Sequence, residues 1–192
     1  MPSLAQNSIQ KFTYADYLNW PDDERWEIIR GMAYDMSPAP GREHQQISFR
    51  LSGILYGFLK DKSCEAFAAP FDVRLAEVSA TRDENIQTVV QPDLVVVCDQ
   101  NKLDKRGCLG APDITVEILS ESTSYKDQTE KLLLYEKHGV KEYWIFNPDA
   151  KYAMIYRLEG MKYDKPEYLT QDDVLKSRVL EGLSVNLSDI WR

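Results

Sequence analysis

The sequence predicts an α/β fold of the α+β kind, a mixed central β-sheet flanked by few helices. Three observations carry this. Two near-continuous apolar runs, VVQPDLVVVCD and APDITVEILS, read as strands buried on both faces. A helical segment follows the second run at once, and a third apolar strand, KEYWIFNP, comes directly after it. Only one helix after the first therefore separates buried strands, which describes a layered sheet and not a doubly wound repeat.

The elements follow in order. Residues 1–12 are polar and read as a loose lead-in to a single domain spanning 1–192. Thr13 is placed to cap a short helix, TYADYLNW, that Pro21 ends. RWEIIRGMAYDMSP reads as two short strands turning near Arg30 and Gly31, with mixed facing. After a Pro/Gly loop, REHQQISFRLSGILYGFLKDK gives the clearest long helix, with Ile47, Leu51, Ile54, Leu55 and Phe58 at helical spacing. CEAFAAPFDVRLAE reads as a strand interrupted at Pro70, and VSATRDENIQT as a connecting loop. QNKLDKRGCLG reads as a charged loop between the two buried strands. Ser122, Thr123 or Ser124 can cap a helix over roughly Tyr125 to His138, with Gly139 as its stop. Asn147-Pro148-Asp149 starts a turn into YAMIYRLEG, giving a hairpin. The tail from 163 to 192 mixes short strand-like pieces and a turn at LSDIW.

Composition sets limits. The net charge is -8 at pH 7. A protein gripping nucleic acid through such a surface has to confine its basic residues to one side or share the task with a partner. No apolar run approaches the roughly 20 residues needed to span a bilayer. No basic segment followed by an apolar one opens the chain, so no membrane and no secretory leader is expected. The cysteines Cys64, Cys98 and Cys108 show no CxxC pairing, which predicts reduced thiols in a cytoplasmic setting. Neither GxGxxG nor GxxxxGK[ST] occurs, so a nucleotide phosphate loop has no support.

The chemistry concentrates in residues 90 to 135. Glu117 interrupts a buried strand, where a carboxylate is costly unless paired, protonated or metal-bound. Asp113, Thr115 and Glu117 share a strand face, but Asp113 lies about 13 Å from Glu117 by strand rise. Asp93, at the entrance of the neighbouring strand, is the better partner. Two carboxylates with waters and a backbone carbonyl form a normal magnesium shell. On an α-helix, Lys131 shares a stripe with Gln128, Leu134 and Tyr135, and so points at the sheet. Lys126 falls on a more charged stripe and is expected to face water. Blander readings stand beside these. Asp93 and Asp113 suit loop-strand boundaries, and Lys131 suits a surface pair with Asp127. Glu43 suits the helix dipole, and His44 suits an inward hydrogen bond.

Taken together, several motifs resemble the Uma2 family. They are Trp26-Glu27 with Gly31; His44 opening a helix; Gln91-Pro92-Asp93-Leu94-Val95-Val96; Ala111-Pro112-Asp113 through Glu117-Ile118-Leu119-Ser120; and Lys131, Tyr135 and Gly139-Val140-Lys141-Glu142-Tyr143-Trp144. The match runs from Phe12 to the C-terminus. The resemblance implies the restriction-endonuclease-like PD-(D/E)XK fold, here with an added N-terminal hairpin and C-terminal strands. It implies that Asp93 and Glu117 are the metal-binding acids, for Mg2+ with Mn2+ as substitute. The position two after Glu117, where that pattern has its lysine, is Leu119, and Lys131 or Lys126 is expected to replace it.

The resulting expectation is a metal-dependent endonuclease-like phosphodiester hydrolase. Asp93, Glu117 and Lys131 are its catalytic set, with Glu43, His44, Asp113, Ser120 and Lys126 as second-rank residues. Nucleic acid is the expected partner, DNA ahead of RNA, and a homodimer the expected assembly. The alternative is a non-catalytic binding or regulatory protein on the same fold, which the acidic balance and Leu119 favour.

Overall fold

The computed structural model describes residues 11–21, 23–36, 40–76, 82–121 and 123–192. Residues 1–10 of the expected lead-in, Ser122 as a cap, Glu77 at the end of the expected strand and residues 78–81 of the expected loop lie outside them.

Thr13 caps α1 (Tyr14–Tyr17) through a capping box with Asp16. β1 (Trp26–Ile29) and β2 (Met32–Asp35) form the N-terminal hairpin. Their two-residue turn places Arg30 and Gly31 at φ 54° and 84°, the left-handed geometry of a type I′ connection. α2 (Arg42–Leu59) follows, buried along Ile47, Leu51, Leu55 and Leu59. The segment around Pro70 is not one strand but two, β3 (Glu65–Ala68) and β4 (Val73–Arg74), which join different sheets across a cis Ala69–Pro70 bond.

After β5 (Val89–Val90) come β6 (Leu94–Val97), β7 (Leu103–Asp104), β8 (Gly107–Leu109) and β9 (Ile114–Ile118). The expected charged loop is thus a hairpin, β7–β8. Its Gly107 sits at φ 118°. A side chain there would lie 2.2 Å from the Asp72 carbonyl oxygen, so that close approach demands glycine.

The helix after β9 has three parts: α3 (Ser124–Lys126), a π-helical turn over Asp127–Lys131, and α4 (Leu132–His138). Gly139, at φ 83°, ends it. β10 (Glu142–Asn147) and β11 (Tyr152–Glu159) form the next hairpin. The tail adds β12 (Lys162–Tyr163), β13 (Glu167–Leu169), β14 (Val174–Lys176) and β15 (Ser184–Asn186). The expected turn at LSDIW is a helical turn, α5 (Leu187–Ile190).

The central sheet runs β12-β11-β10-β9-β6-β3, with β13 on β11. It is mixed: β10 lies parallel to β9, and the other pairings are antiparallel. Strand alternation divides the core in two. Leu94, Val96, Ile114, Val116 and Ile118 pack with α2. Val95, Val97, Tyr143 and Ile145 pack with Leu134 and Tyr135 of α4 on the other face. A second sheet, β2-β1-β5-β4-β8-β7, carries the N-terminal hairpin.

Cys64 and Cys98 form a disulfide, so the expectation of free thiols is corrected. Continuing the β3–β6 register from Glu65 opposite Val97 sets these two directly across from each other. That pairing is made by sheet topology between residues 34 apart and has no local signature. Cys108 is free, and burial pushes its thiol up to about 11. The cysteine argument for a cytoplasmic setting falls with this bond. Among the described residues, no helix is long and apolar enough to cross a membrane.

Candidate metal centre

β6 and β9 meet antiparallel with Leu94 opposite Val116. One further step along that register leads from β6 to Asp93, in the bend before it, and to Glu117, which lies on the face that receives α4. The Asp93 charge is close enough to act on the Glu117 carboxyl. Asp93 Oδ2 accepts from the Ile118 amide at 2.7 Å. His44 Nε2, from the first turn of α2, lies 3.2 Å from the same oxygen. Glu117 is 4% exposed. Its Oε1 accepts from Lys131 Nζ at 2.9 Å and from the Tyr135 hydroxyl at 2.8 Å. Among the described residues, Asp93 Oδ1 and Glu117 Oε2 carry no hydrogen bond.

Lys131 is 2% exposed. Its ammonium lies 2.8 Å from Glu27 Oε1, 2.9 Å from Glu117 Oε1 and 3.5 Å from Asp127 Oδ1. The pair with Asp127 is therefore a buried contact and not the surface pair of the blander reading. Lys126 corrects a second expectation. It turns inward, its Nζ 2.8 Å from Glu27 Oε2, and keeps only 15% of its side chain exposed. The π-turn is the reason. Residues five apart fall on different faces of an α-helix, whereas an i→i+5 turn stacks them on one. Lys126 and Lys131 thereby grip the two oxygens of one carboxylate.

Electrostatics follow from burial. Burial drives Glu117 up, Lys131 opposes it, and the carboxylates Asp127, Asp93 and Glu27 push it further, leaving it well above the usual range. Asp127 is raised by burial against the pull of Lys131. Glu27 goes the other way. Burial alone would raise it, but Lys131 and Lys126 together hold it down at about 2. Burial disfavours the Lys131 ammonium, yet Glu117, Glu27 and Asp127 outweigh this and hold its proton well above ordinary lysine. The Tyr135 hydroxyl is raised by burial and by Glu117, so it stays a donor.

Glu43 and Asp113, named as second-rank site residues, stand apart. Glu43 is exposed and pairs with Arg42 at 3.4 Å. Its helix-end position turns it toward a shallow groove beside Trp191 and not toward the sheet. Asp113 sits at the opposite end of β9, where it accepts from the Cys98 amide and from Lys141 Nζ, each at 2.7 Å. It fastens a loop-strand boundary. Ser120 lies just past Glu117, in the turn from β9 to α3, with its Oγ 3.0 Å from Thr123 Oγ1.

Sequence reasoning passed over Glu27. It is fully buried, and its Oε1 also accepts from the Gln91 amide at 3.0 Å. A carboxylate between Trp26 and Ile28 carries the signal that exposed Glu117, but the mixed facing of that short strand concealed it.

A divalent ion fits this donor set. Lys131 meets three carboxylates, Glu27, Glu117 and Asp127, and the Asp93 charge acts on Glu117, so the acids outnumber the ammonium groups around the Asp93–Glu117 pair. Among the described residues, no group of three or more His, Cys, Asp or Glu side chains is arranged to hold an ion. Two neighbouring carboxylates, Asp93 and Glu117, are the kind of donor set that magnesium takes while keeping most of its water.

Comparison with known proteins agrees with the fold. A curated relative, the uncharacterized protein slr1290 of Synechocystis sp., is 28% identical over 127 residues, 65% of this chain. The chain matches 62% of that relative's length. A crystal structure from Anabaena variabilis, of a "putative nuclease belonging to DUF820", superposes with a TM-score of 0.75 at 22% identity. The match covers 94% of this chain and 97% of that one. At that identity the likeness establishes a shared fold. The family profile of Uma2, described as "putative restriction endonuclease", matches residues 14–188, and the chain belongs to the Uma2 family.

Proposed function

We propose that the chain is a metal-dependent phosphodiester hydrolase acting on nucleic acid, DNA ahead of RNA, with Mg2+ or Mn2+ held by Asp93 and Glu117. One observation carries the reading: Asp93, bonded to the Ile118 amide, lies beside Glu117 at the end of β9, with an ammonium fixed on Glu117 from the helix. When bound, the ion supplies Lewis-acid polarisation of a phosphoryl oxygen and makes water acidic enough to yield a nucleophile near neutral pH.

The protein's own residues do the rest. The Ile118 amide and His44 fix Asp93, while Lys131 and Tyr135 fix Glu117. Lys131 cannot accept a proton from water, because three carboxylates keep it charged. It is a positioning residue for Glu117. Lys126 has the solvent contact that Lys131 lacks. We assign it to the substrate phosphate, where its charge offsets the negative charge developing on the phosphoryl oxygens. A homodimer would set two such sites against the two strands of a duplex.

Plasmid DNA, single-stranded DNA and RNA incubated with Mg2+ or Mn2+ provide the test. Cleavage by wild type, abolished in Asp93→Asn and Glu117→Gln, is the expected result. Calorimetry should show Mn2+ binding that the same substitutions remove. Absence of cleavage and of binding by concentrated wild type overturns the reading. It would favour the second one, a non-catalytic binding module, which is supported by Leu119 in the usual lysine position and by the net charge of -8.

A further inference from the structure

The N-terminal hairpin touches the site at more points than its place in the second sheet requires. Glu27 and Tyr34 are cross-strand partners in β1 and β2, and both reach the π-turn. Glu27 holds Lys126 with one oxygen and Lys131 with the other, each at 2.8 Å. The Tyr34 ring lies 5.3 Å from Lys126 Nζ. Its hydroxyl donates to Glu130 at 3.1 Å. The Gln91 amide fixes Glu27 from β5's end, two residues before Asp93.

Stability alone does not call for this arrangement. Two desolvated ammonium groups on one buried carboxylate are seldom more stabilising than apolar residues of similar volume, and the best-attested use of such groups is to fix geometry. Here the geometry fixed is that of a π-turn, a helical form common at functional sites. Among the described residues, loss of Glu27 would leave Lys131 with Glu117 and Asp127 and would leave Lys126 without its ion-pair partner.

We infer that Glu27 is a positioning residue for the metal centre: bridging Lys126 and Lys131, it sets the π-turn so that one lysine orients Glu117 and the other meets the substrate. This rests on the hydrolase reading above. Glu27 itself touches neither metal nor substrate. Its removal should act as loss of an outer support does, with a cost of about 10- to 100-fold.

Wild type, Glu27→Gln, Glu27→Asp and Tyr34→Ala are compared in two assays: Mn2+-supported DNA cleavage, and metal-free reductive methylation of lysines read by mass spectrometry. Glu27→Gln is expected to lower kcat by about 10- to 100-fold with KM within about twofold. It should also make Lys126 and Lys131 several-fold more reactive to methylation. Glu27→Asp, which keeps the charge, should recover part of both. A folded Glu27→Gln with wild-type kcat or wild-type labelling overturns the inference. Should Glu27→Gln not fold, Tyr34→Ala decides: a selective rise at Lys126 supports the clamp, and unchanged labelling overturns it. Should wild type neither cleave nor bind Mn2+, the hydrolase reading falls, and the labelling still decides whether the clamp exists.

Discussion

Glu27 depends on Lys131 more than on any other charge, and Lys131 depends on Glu117 first and Glu27 next. A lysine buried at 2% exposure is stable as an ammonium only because carboxylates surround it. Lys131→Met leaves Glu27, Glu117 and Asp127 facing one another without it. Breaking a buried ion pair from one side costs about 3–5 kcal/mol, and urea unfolding at pH 7 should show a loss of that size. Acid unfolding isolates Glu27. Its folded value of about 2 lies below its ordinary 4.5. Its contribution is therefore present above pH 4.5 and lost as pH falls from there toward 2. Between those values wild type should lose about 3 kcal/mol more than Glu27→Gln. Parallel curves for the two proteins would show that Glu27 is not held as an anion. Glu117 and Asp127 have the opposite sign. With raised folded values, their contribution is present at low pH and lost as pH rises through those values.

Two helices show how far periodicity reads. In α2 the apolar spacing found the buried face at once, because a regular helix repeats as the pattern assumes. Its exposed side holds Gly53 and Gly57, where an added Cβ would meet nothing within 4 Å. Neither glycine is required by a turn, so Gly53→Ala and Gly57→Ala should each stabilise by about 0.5–1 kcal/mol, seen as a higher urea midpoint. In the second helix the same periodic argument placed Lys131 inward and Lys126 in water, and only the first holds. The π-turn over Asp127–Lys131 inserts a residue's worth of rotation that no 3.6-residue pattern contains. The β7–β8 hairpin was hidden for a related reason, since its polar residues lack the alternation of a half-buried strand.

At the scale of the whole molecule, charge is the governing quantity. With 31 acidic and 23 basic residues, any divalent ion is drawn to the surface at large. Specific binding has to be separated from that background by the pH and residue dependence of stability. Mn2+ should raise the melting temperature of wild type, more at pH 8 than at pH 5. Protons and metal compete for Glu117, whose raised value keeps it partly protonated in acid. Asp93→Asn and Glu117→Gln should show the background shift alone. An equal shift in wild type and both variants, read by differential scanning fluorimetry, would remove the metal from the site.

The sequence by itself determined the mixed sheet, the two buried strands, the long helix and the buried carboxylate of Glu117. Each is a local property: a run of apolar residues, a spacing, or a carboxylate where burial makes one costly. Tertiary structure decided what those local properties were for. It brought Asp93 beside Glu117 and joined Cys64 to Cys98. It sent Asp113 to the far end of its strand to meet Lys141, and it brought Glu27 from another sheet onto both lysines. These are contacts between residues distant in sequence. Their partners are chosen by register, crossover and one irregular helical turn, none of which a short stretch of sequence specifies.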